Sequence, residues 1–517
     1  MNITHGLRRA LQVKATGVAS IYQDRCRTWR EIGDRVSRLA GALYTVGLEP
    51  GDRIAVLMLN QDRYIECFLA ASWAGGVIVP LNTRWSIEEN AGALSDCGAR
   101  LLIVDGAFSS AGTTLAARGS MRLIYADDGI VPNGMLEYEA LIAASAPIPD
   151  VMAAPDDLAV IVYTGGTTGR SKGVMLSHRN IMANTFNVLA EGLFAETCVY
   201  LHAAPMFHAA NALGMYSMFL SSGTSVIIKA FAPQVVFEAI ERYQVTETIL
   251  VPTMIQIIVD HPAVGLHDLS SLKRILYGGS PISEAVLDRA QAALPGVAFI
   301  QTYAQSELSP IATILHAHEH VGAGRACGRH RSGGRATFGV EIRVVDENDR
   351  EVPRGAVGQI CARGDTVMMG YWNRPGETAK AIVDGWMHTG DAGYMDEDGF
   401  VYLVDRLKDM IISGGENIYS VEVENVVAHH PAVAQCAVVG IPNETWGEAV
   451  HAVVMRKPGT KVDAADIIAF CKERIAHYKC PRSVDIRDEP LPMSGPGKIL
   501  KRDLRAPFWE GERRQIS

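Results

Sequence analysis

The sequence predicts an α/β protein made of a large body followed by a smaller domain. Three observations carry the prediction. Short apolar runs alternate with helix-period segments from residue 53 onward, and the strand–helix–strand order repeats. About a hundred residues beyond Asp405-Arg406-Leu407-Lys408 then hold strand and helix patterns of their own, enough for a small domain. Residues 53–59 (RIAVLML) read as a strand, 64–73 as a helix and 76–80 (GVIVP) as a strand. Ser86 and Glu89 have capping-box spacing ahead of the next helix, and 100–104 is again a strand. Repetition of this order implies a mostly parallel sheet covered by helices. Residues 158–162 and 274–276 are further strands. The apolar stretch 203–228 is interrupted by His208, Asn211, Ser221 and Ser222, so it reads as buried helix and strand rather than a membrane span. In the smaller domain, 436–441 and 449–455 read as strands and 467–475 as a helix. No Gly/Ser linker marks the boundary, and there is no fixed-period repeat or low-complexity segment.

Composition narrows the function classes. The chain has 517 residues, 48% hydrophobic and 20% charged, which is ordinary for a soluble globular protein. A chain of this length buries a sizeable core without disulfides. Its nine cysteines are scattered singly from Cys26 to Cys480 with no CxxC pair, which argues against zinc and fits reduced thiols in the cytoplasm. The net charge of -9 argues against a nucleic-acid binder, whose footprint would be basic. A small anionic ligand stays open, because a local cluster of amides and lysines overrides global charge. The N-terminus, MNITHGLRRALQVKA, lacks the apolar centre of a signal peptide.

Five clusters carry chemistry. The first runs from Tyr163 to His178, YTGGTTGRSKGVMLSH, and follows the strand 158–162. Its glycines let backbone N–H groups converge on one point, its threonines offer hydroxyls to phosphate or Mg²⁺, and its lysine supplies a mobile positive charge. It is not a Walker A loop, since Gly-Lys-Ser/Thr does not occur at that spacing. The second is Tyr277-Gly278-Gly279-Ser280-Pro281, and the third is Gln301-Thr302-Tyr303-Ala304-Gln305-Ser306-Glu307. Taken alone, either is equally a plain loop at a strand end. Strand ends of a parallel sheet are also where ligands bind, with glycines admitting a flat base, an aromatic stacking on it and a carboxylate holding Mg²⁺. The fourth is Trp386-Met387-His388-Thr389-Gly390-Asp391 with Asp405-Arg406; an Asp and an Arg suit ribose hydroxyls, or form a surface ion pair. The fifth is Gly497-Lys498 in PMSGPGKILKRDLR, where a lone lysine alone would be a solvated surface residue.

In this order and combination the clusters resemble those of the adenylate-forming superfamily, which includes acyl-CoA synthetases, aryl-CoA ligases, peptide-synthetase adenylation domains and firefly-type luciferases. The likeness runs from Arg53 to Arg505. Three positions depart from the family pattern: Gly165 stands for a usual Ser, Ser171 for Pro and Ala304 for Gly. The resemblance implies a large multi-sheet N-terminal domain that binds ATP and the acyl group (1–405), a hinge (406–408) and a small mobile α+β lid (409–517). It implies that Thr164, Gly166, Thr167, Thr168, Gly169 and Lys172 cradle the ATP phosphates. Gly279, Ser280 and Pro281, with Tyr303 and Ser306, would flank the nucleotide, and Asp391 and Arg406 would hold ribose. Glu307 and Thr167 would ligate Mg²⁺, Lys498 would bind the carboxylate and α-phosphate, and Lys408 would be the hinge. Phe207, His208, Ala209, Ala210 and Gly278 would line the acyl pocket, and Ser413, Gly414 and Gly415 the coenzyme A tunnel. Lys498, Glu307, Thr167 and His208 are the catalytic candidates, although a buried structural histidine is an equal reading of His208.

The implied reaction joins a carboxylic acid to ATP as acyl-AMP, with release of pyrophosphate, and then passes the acyl group to coenzyme A with release of AMP. No aspartate stands just after Phe207, where amino-acid-activating relatives anchor the amine, so a fatty or aryl acid is expected. One methylene changes pocket affinity by only ~1–3 kcal/mol, so residue sizes do not set chain length. Loading of a carrier-protein phosphopantetheine is the alternative, and a non-catalytic ATP- or acyl-binding regulator is a third reading. A luciferase-like oxygenase is disfavoured. The expected partners are the acid, ATP and coenzyme A, with no nucleic acid and no integral membrane segment; assembly of identical chains stays open.

Overall fold

The computed structural model describes residues 1–119, 121–164, 171–280, 282–406, 409–414, 416–443, 445–493 and 499–509, with the backbone alone at 405, 406 and 417. The chain forms two compact units. The larger comprises Met1–Gly279, Ala290–Ile342 and Ala362–His388, and the smaller comprises Ser280–Arg289, Arg343–Cys361 and Thr389–Ser517.

The larger unit is built on two sheets. The first has eight strands. Its parallel part holds β1 (Arg53–Leu57), β2 (Val77–Pro80), β3 (Leu101–Val104), β4 (Arg122–Tyr125) and β5 (Leu158–Thr164) in the order β5-β2-β1-β3-β4. Helices α1 (Asp62–Trp73) and α2 (Ile87–Cys97) make the first two crossovers, and Ser86 and Glu89 form the expected capping box at the start of α2. β6 (Lys172–Ser177) returns antiparallel to β5, with Thr164 opposite Lys172. The strand expected over 53–59 stops at Leu57, because the chain turns off the sheet edge and the Leu59 N–H goes to the Asp105 carboxylate at 2.9 Å.

The second sheet has nine strands. Its parallel stretch runs β11-β10-β9-β7-β8, formed by β7 (Val199–His202), β8 (Thr224–Ile227), β9 (Glu247–Leu250), β10 (Arg274–Gly278) and β11 (Ala298–Ala304). β12 (Ile311–Leu315) lies antiparallel beside β11. The apolar stretch after β7 is helix α3 (Ala209–Ser221) followed by β8; α3 is buried nearly all round, which accounts for its continuous apolarity. Among the described residues no helix is long and apolar enough to cross a membrane.

Both sheets contain a point where successive crossovers leave in opposite directions: between β1 and β3 in the first, and between β7 and β9 in the second. The crevice outside the carboxyl ends of such strands is where open α/β sheets bind ligands. The loops that leave β1 and β7 therefore carry the residues closest to that position.

In the smaller unit β13 (Trp386–Met395), which begins at the end of the larger one, pairs with β14 (Val401–Arg406) and sets Asp391 opposite Arg406. A five-stranded sheet contains β15 (Ile411–Ser413), β16 (Val433–Asn443) and β17 (Gly447–Arg456). It packs against α4 (Ser420–Ala428) and α5 (Ala464–Lys472) around a core of Val423, Val438, Val450 and Ile467. The helix expected over 467–475 starts earlier because Asp463 caps it, with Asp466 answering in a capping box.

Candidate active site

The first cluster is divided between two paired strands: Thr164 ends β5, and Lys172, its antiparallel partner, opens β6 at the carboxyl end of β5. Four of the residues expected to hold phosphate come between them in sequence. These four, Gly166, Thr167, Thr168 and Gly169, lie outside the described residues, as do Pro281, Lys408, Gly415 and Lys498. Lys172 forms an ion pair with Glu377, and its ammonium stands 5.0 Å from the centroid of the Tyr371 ring. On the other side of that residue, the Tyr371 hydroxyl donates to Glu307 Oε1 at 3.0 Å. One buried tyrosine therefore joins the loop lysine to the candidate metal ligand.

Local packing explains this convergence. Glu307 sits in a single 3₁₀ turn, Ser306–Leu308, just after β11. Its carbonyl accepts from the Met368 N–H at 2.9 Å, and the Ser309 hydroxyl donates to the Thr366 carbonyl at 2.7 Å. Asn180 donates to the carbonyls of Asp365 and Val367, both at 2.8 Å. The chain then pairs with β6, Tyr371 opposite Val174. The segment that brings Tyr371 is thus held between the 3₁₀ turn and β6. Burial, reinforced by the nearby Glu307 carboxylate, pushes the Tyr371 phenol far above its ordinary pKa. It remains a neutral donor throughout the physiological range. Glu307 presents a hard carboxylate, which is the donor chemistry Mg²⁺ requires.

The second and third clusters end neighbouring strands. Gly278 lies opposite Thr302 of β11 so closely that a Cβ would stand 2.4 Å from the Thr302 carbonyl oxygen, so only glycine fits. Gly279 follows with φ of +82°, and Ser280 begins a segment of the smaller unit. Tyr303 is buried near the end of β11 and receives a hydrogen bond from Gln305 Nε2 at 3.4 Å.

The loop after β7 presents Pro205, Met206, Phe207 and His208. Phe207 is buried, and His208 is the N-cap of α3, its ring nitrogen accepting from the Ala210 N–H at 3.4 Å. Ala209 and Ala210 open the helix. Capping gives His208 a structural task of its own.

Within the smaller unit, Asp391 is buried and directly opposed to Arg406 across the strand pair. Ser413 ends β15. Gly414 follows with φ of +62°, and a Cβ there would meet the Trp446 ring at 2.7 Å. The guanidinium of Arg482 covers the same ring at 4.7 Å. Helix α6 (Lys501–Trp509) is anchored by Lys501 to Ser420 at 2.5 Å and Glu424 at 2.8 Å, and by Arg505 to Glu448 at 2.6 Å. Tyr371, Glu377 and Trp446 lie outside the five sequence clusters. An isolated aromatic or acid between motifs carries no local signature, and only its partners give it meaning.

Residues 7–372 match the family described as AMP-binding enzyme, and residues 422–498 match the AMP-binding enzyme C-terminal domain. A feruloyl-CoA synthase from an Amycolatopsis species is 42% identical over 490 residues, covering 93% of this chain and 94% of that protein. The fatty acid–[acyl-carrier-protein] ligase ScoC of Streptomyces coeruleorubidus is 35% identical over 510 residues, covering 98% of this chain and 96% of the relative. Among solved structures, ATP-bound MatB from Rhodopseudomonas palustris superposes with a TM-score of 0.89 at 28% identity, covering 98% of this chain and 99% of that one.

Proposed function

The chain belongs to the AMP-binding enzyme family and is an ATP-dependent, AMP-forming acid–thiol ligase; from that premise we propose that its acid is an aryl acid of the hydroxycinnamate type and its thiol coenzyme A. The observation that carries the reaction is the convergence of Lys172, Tyr371 and Glu307 at the carboxyl end of β5, where Thr164 pairs with Lys172. Support for the acid comes from the likeness to a feruloyl-CoA synthase and from the small residues Ala209 and Ala210 after Phe207, which leave room for an apolar group.

In the first step a carboxylate oxygen attacks the α-phosphorus of ATP. The new P–O bond makes an acyl adenylate, and the bond to pyrophosphate breaks. Two anions must approach, so positive charge has to lie between them. Lys172 exchanges Glu377 for the phosphates, and Thr164 offers a hydroxyl at the entry to the loop. Glu307, held by Tyr371, is the side chain that would ligate Mg²⁺; when bound, the ion neutralises charge on the phosphate oxygens. Lys498 is assigned to the carboxylate and α-phosphate, Asp391 and Arg406 to ribose. A preorganised donor of this kind contributes ~10²–10³-fold in rate.

In the second step the thiolate attacks the acyl carbonyl, the C–O bond to phosphate breaks, and AMP leaves. Lys498 would block thiol entry if it stayed in place. Rotation of 409–517 about Lys408 would replace it with the tunnel lined by Ser413, Gly414 and Gly415. The nine cysteines, all free thiols, fit a reducing cytoplasmic setting.

The test is pyrophosphate release with hydroxycinnamic, medium- and long-chain fatty, and dicarboxylic acids, each with and without coenzyme A. Release confined to the hydroxycinnamic acids, with a CoA thioester appearing, is expected. Turnover of fatty acids alone would replace the substrate class. An adenylate discharged onto a holo carrier protein but not onto coenzyme A would favour the carrier-protein reading, the activity borne by ScoC.

A further inference from the structure

We propose that Asn60 is a positioning residue for the acyl-binding wall, its amide stapling the loop after β7 to the loop after β1 at the switch points of the two sheets. The inference rests on the reading of Phe207 and His208 as part of that wall.

Asn60 is almost fully buried, and its side-chain amide is used at both ends. Nδ2 donates to the Ala204 carbonyl at 2.9 Å and, more weakly, to the His202 carbonyl at 3.4 Å. Oδ1 accepts from the Met206 N–H at 2.8 Å. Two carbonyls facing one end of the amide and an N–H facing the other admit a single orientation of the group. All three partners are backbone atoms from the last residue of β7 to the residue before Phe207. The staple therefore sets the path of the chain into Phe207 and His208 whatever their side chains are.

The same loop is held from its other side. Asn211, on the first turn of α3, donates to the Ala204 carbonyl, while its Oδ1 accepts from the Tyr200 hydroxyl at 3.0 Å and pairs with His202 Nδ1 at 2.9 Å. The Ala204 carbonyl is thus the point where a grip from the first sheet and a grip from α3 meet. The loop bearing Asn60 is itself fixed to its own sheet: the Leu59 N–H goes to Asp105, and Gln61 Nε2 donates to the Ala126 carbonyl at 2.9 Å. Buried groups satisfied this completely have one arrangement, and a wall built on them has a defined shape. Removing Asn60 frees the wall relative to the first sheet and leaves β6, Lys172 and Glu307 untouched.

The experiment measures steady-state constants for acid, ATP and coenzyme A in the full-length enzyme and in Asn60→Ala, Asn60→Asp, Asn211→Ala and the Asn60→Ala/Asn211→Ala double variant, with thermal melting of each. Asn60→Asp keeps the acceptor for the Met206 N–H but turns a carboxylate toward two carbonyls, which costs more than leaving them unpaired, so Asn211→Ala, which releases the same carbonyl from the other side, carries the test if neither Asn60 variant folds. The expected result is a KM for the acid raised about tenfold, a KM for ATP within about twofold of wild type, and a changed preference between hydroxycinnamic and fatty acids. The double variant should raise the acid KM by less than the product of the single effects, since both grips act on one carbonyl. Equal rises in the acid and ATP constants, or an unchanged acid KM in a folded variant, would overturn the inference while leaving the ligase reading intact. A wild-type enzyme that activates none of the acids would overturn the ligase reading, and the inference with it.

Discussion

Tyr371 changes what the candidate site means at the scale of single residues. Lys172 stands out in the sequence because a lysine in a Gly/Thr-rich loop suits an anion, whereas Glu307 stands out only through the family resemblance, since an acid after a strand is equally a plain loop residue. Tyr371 does not stand out, because its importance comes from the Glu307 carboxylate at 3.0 Å and the Lys172 ammonium above its ring. A hydrogen bond to a charged group is worth about 1.5–3 kcal/mol, enough to hold one carboxylate rotamer before a metal arrives. Tyr371→Phe keeps the ring and removes that bond. It should raise the Mg²⁺ concentration giving half-maximal ATP–pyrophosphate exchange about threefold to tenfold, with little loss of thermal stability. Wild-type Mg²⁺ dependence in Tyr371→Phe would mean that the phenol does not orient Glu307. Glu377, which resembles any surface acid in the sequence, proves to be the ion-pair partner of Lys172.

The unit of β7, its loop and α3 shows how elements are tied together, and it makes a prediction about pH. His202 is fully buried at the end of β7, with Nδ1 on Asn211 and Nε2 on the Ser225 hydroxyl of β8 at 3.2 Å. Burial holds its pKa down at about 3, against an opposing pull from Asn211. The ordinary value is about 6.5, so the unfolded chain takes up a proton that the folded one refuses. The stability this histidine contributes is complete above pH 6.5 and is lost as pH falls from there toward 3, at up to about 1.4 kcal/mol per pH unit. His202→Gln should melt lower at pH 7 yet lose less on going to pH 5 than wild type; parallel losses would refute the assignment. Strands and helices of the two sheets show in the sequence as apolar runs and 3.6-residue patterns, and Ser86 and Glu89 mark the capping box of α2. Their ends show less clearly. β1 stops at Leu57 because of Asp105, a residue 46 positions away from Leu59, and local patterning holds no trace of that contact.

For the whole molecule, the order of motifs was legible and the partition was not. The five clusters announced an α/β ligase with a smaller C-terminal part, matching the family's two domains over 7–372 and 422–498. That residues 280–289 and 343–361 join the smaller unit depends on tertiary contacts alone. Nor does alternation of strands and helices reveal that they sort into two sheets, each with its own switch point, since the direction of a crossover leaves no local mark. In the proposed reaction one chain performs two half-reactions through a bound acyl adenylate. The most direct test is a single turnover with ATP, Mg²⁺ and a hydroxycinnamic acid, first without and then with coenzyme A, followed by mass spectrometry of the bound and released species. Pyrophosphate and enzyme-bound acyl adenylate are expected in equal amounts without coenzyme A, and on its addition AMP and thioester in equal amounts. Release of ADP and phosphate, or thioester formed with no adenylate preceding it, would contradict the proposed reaction.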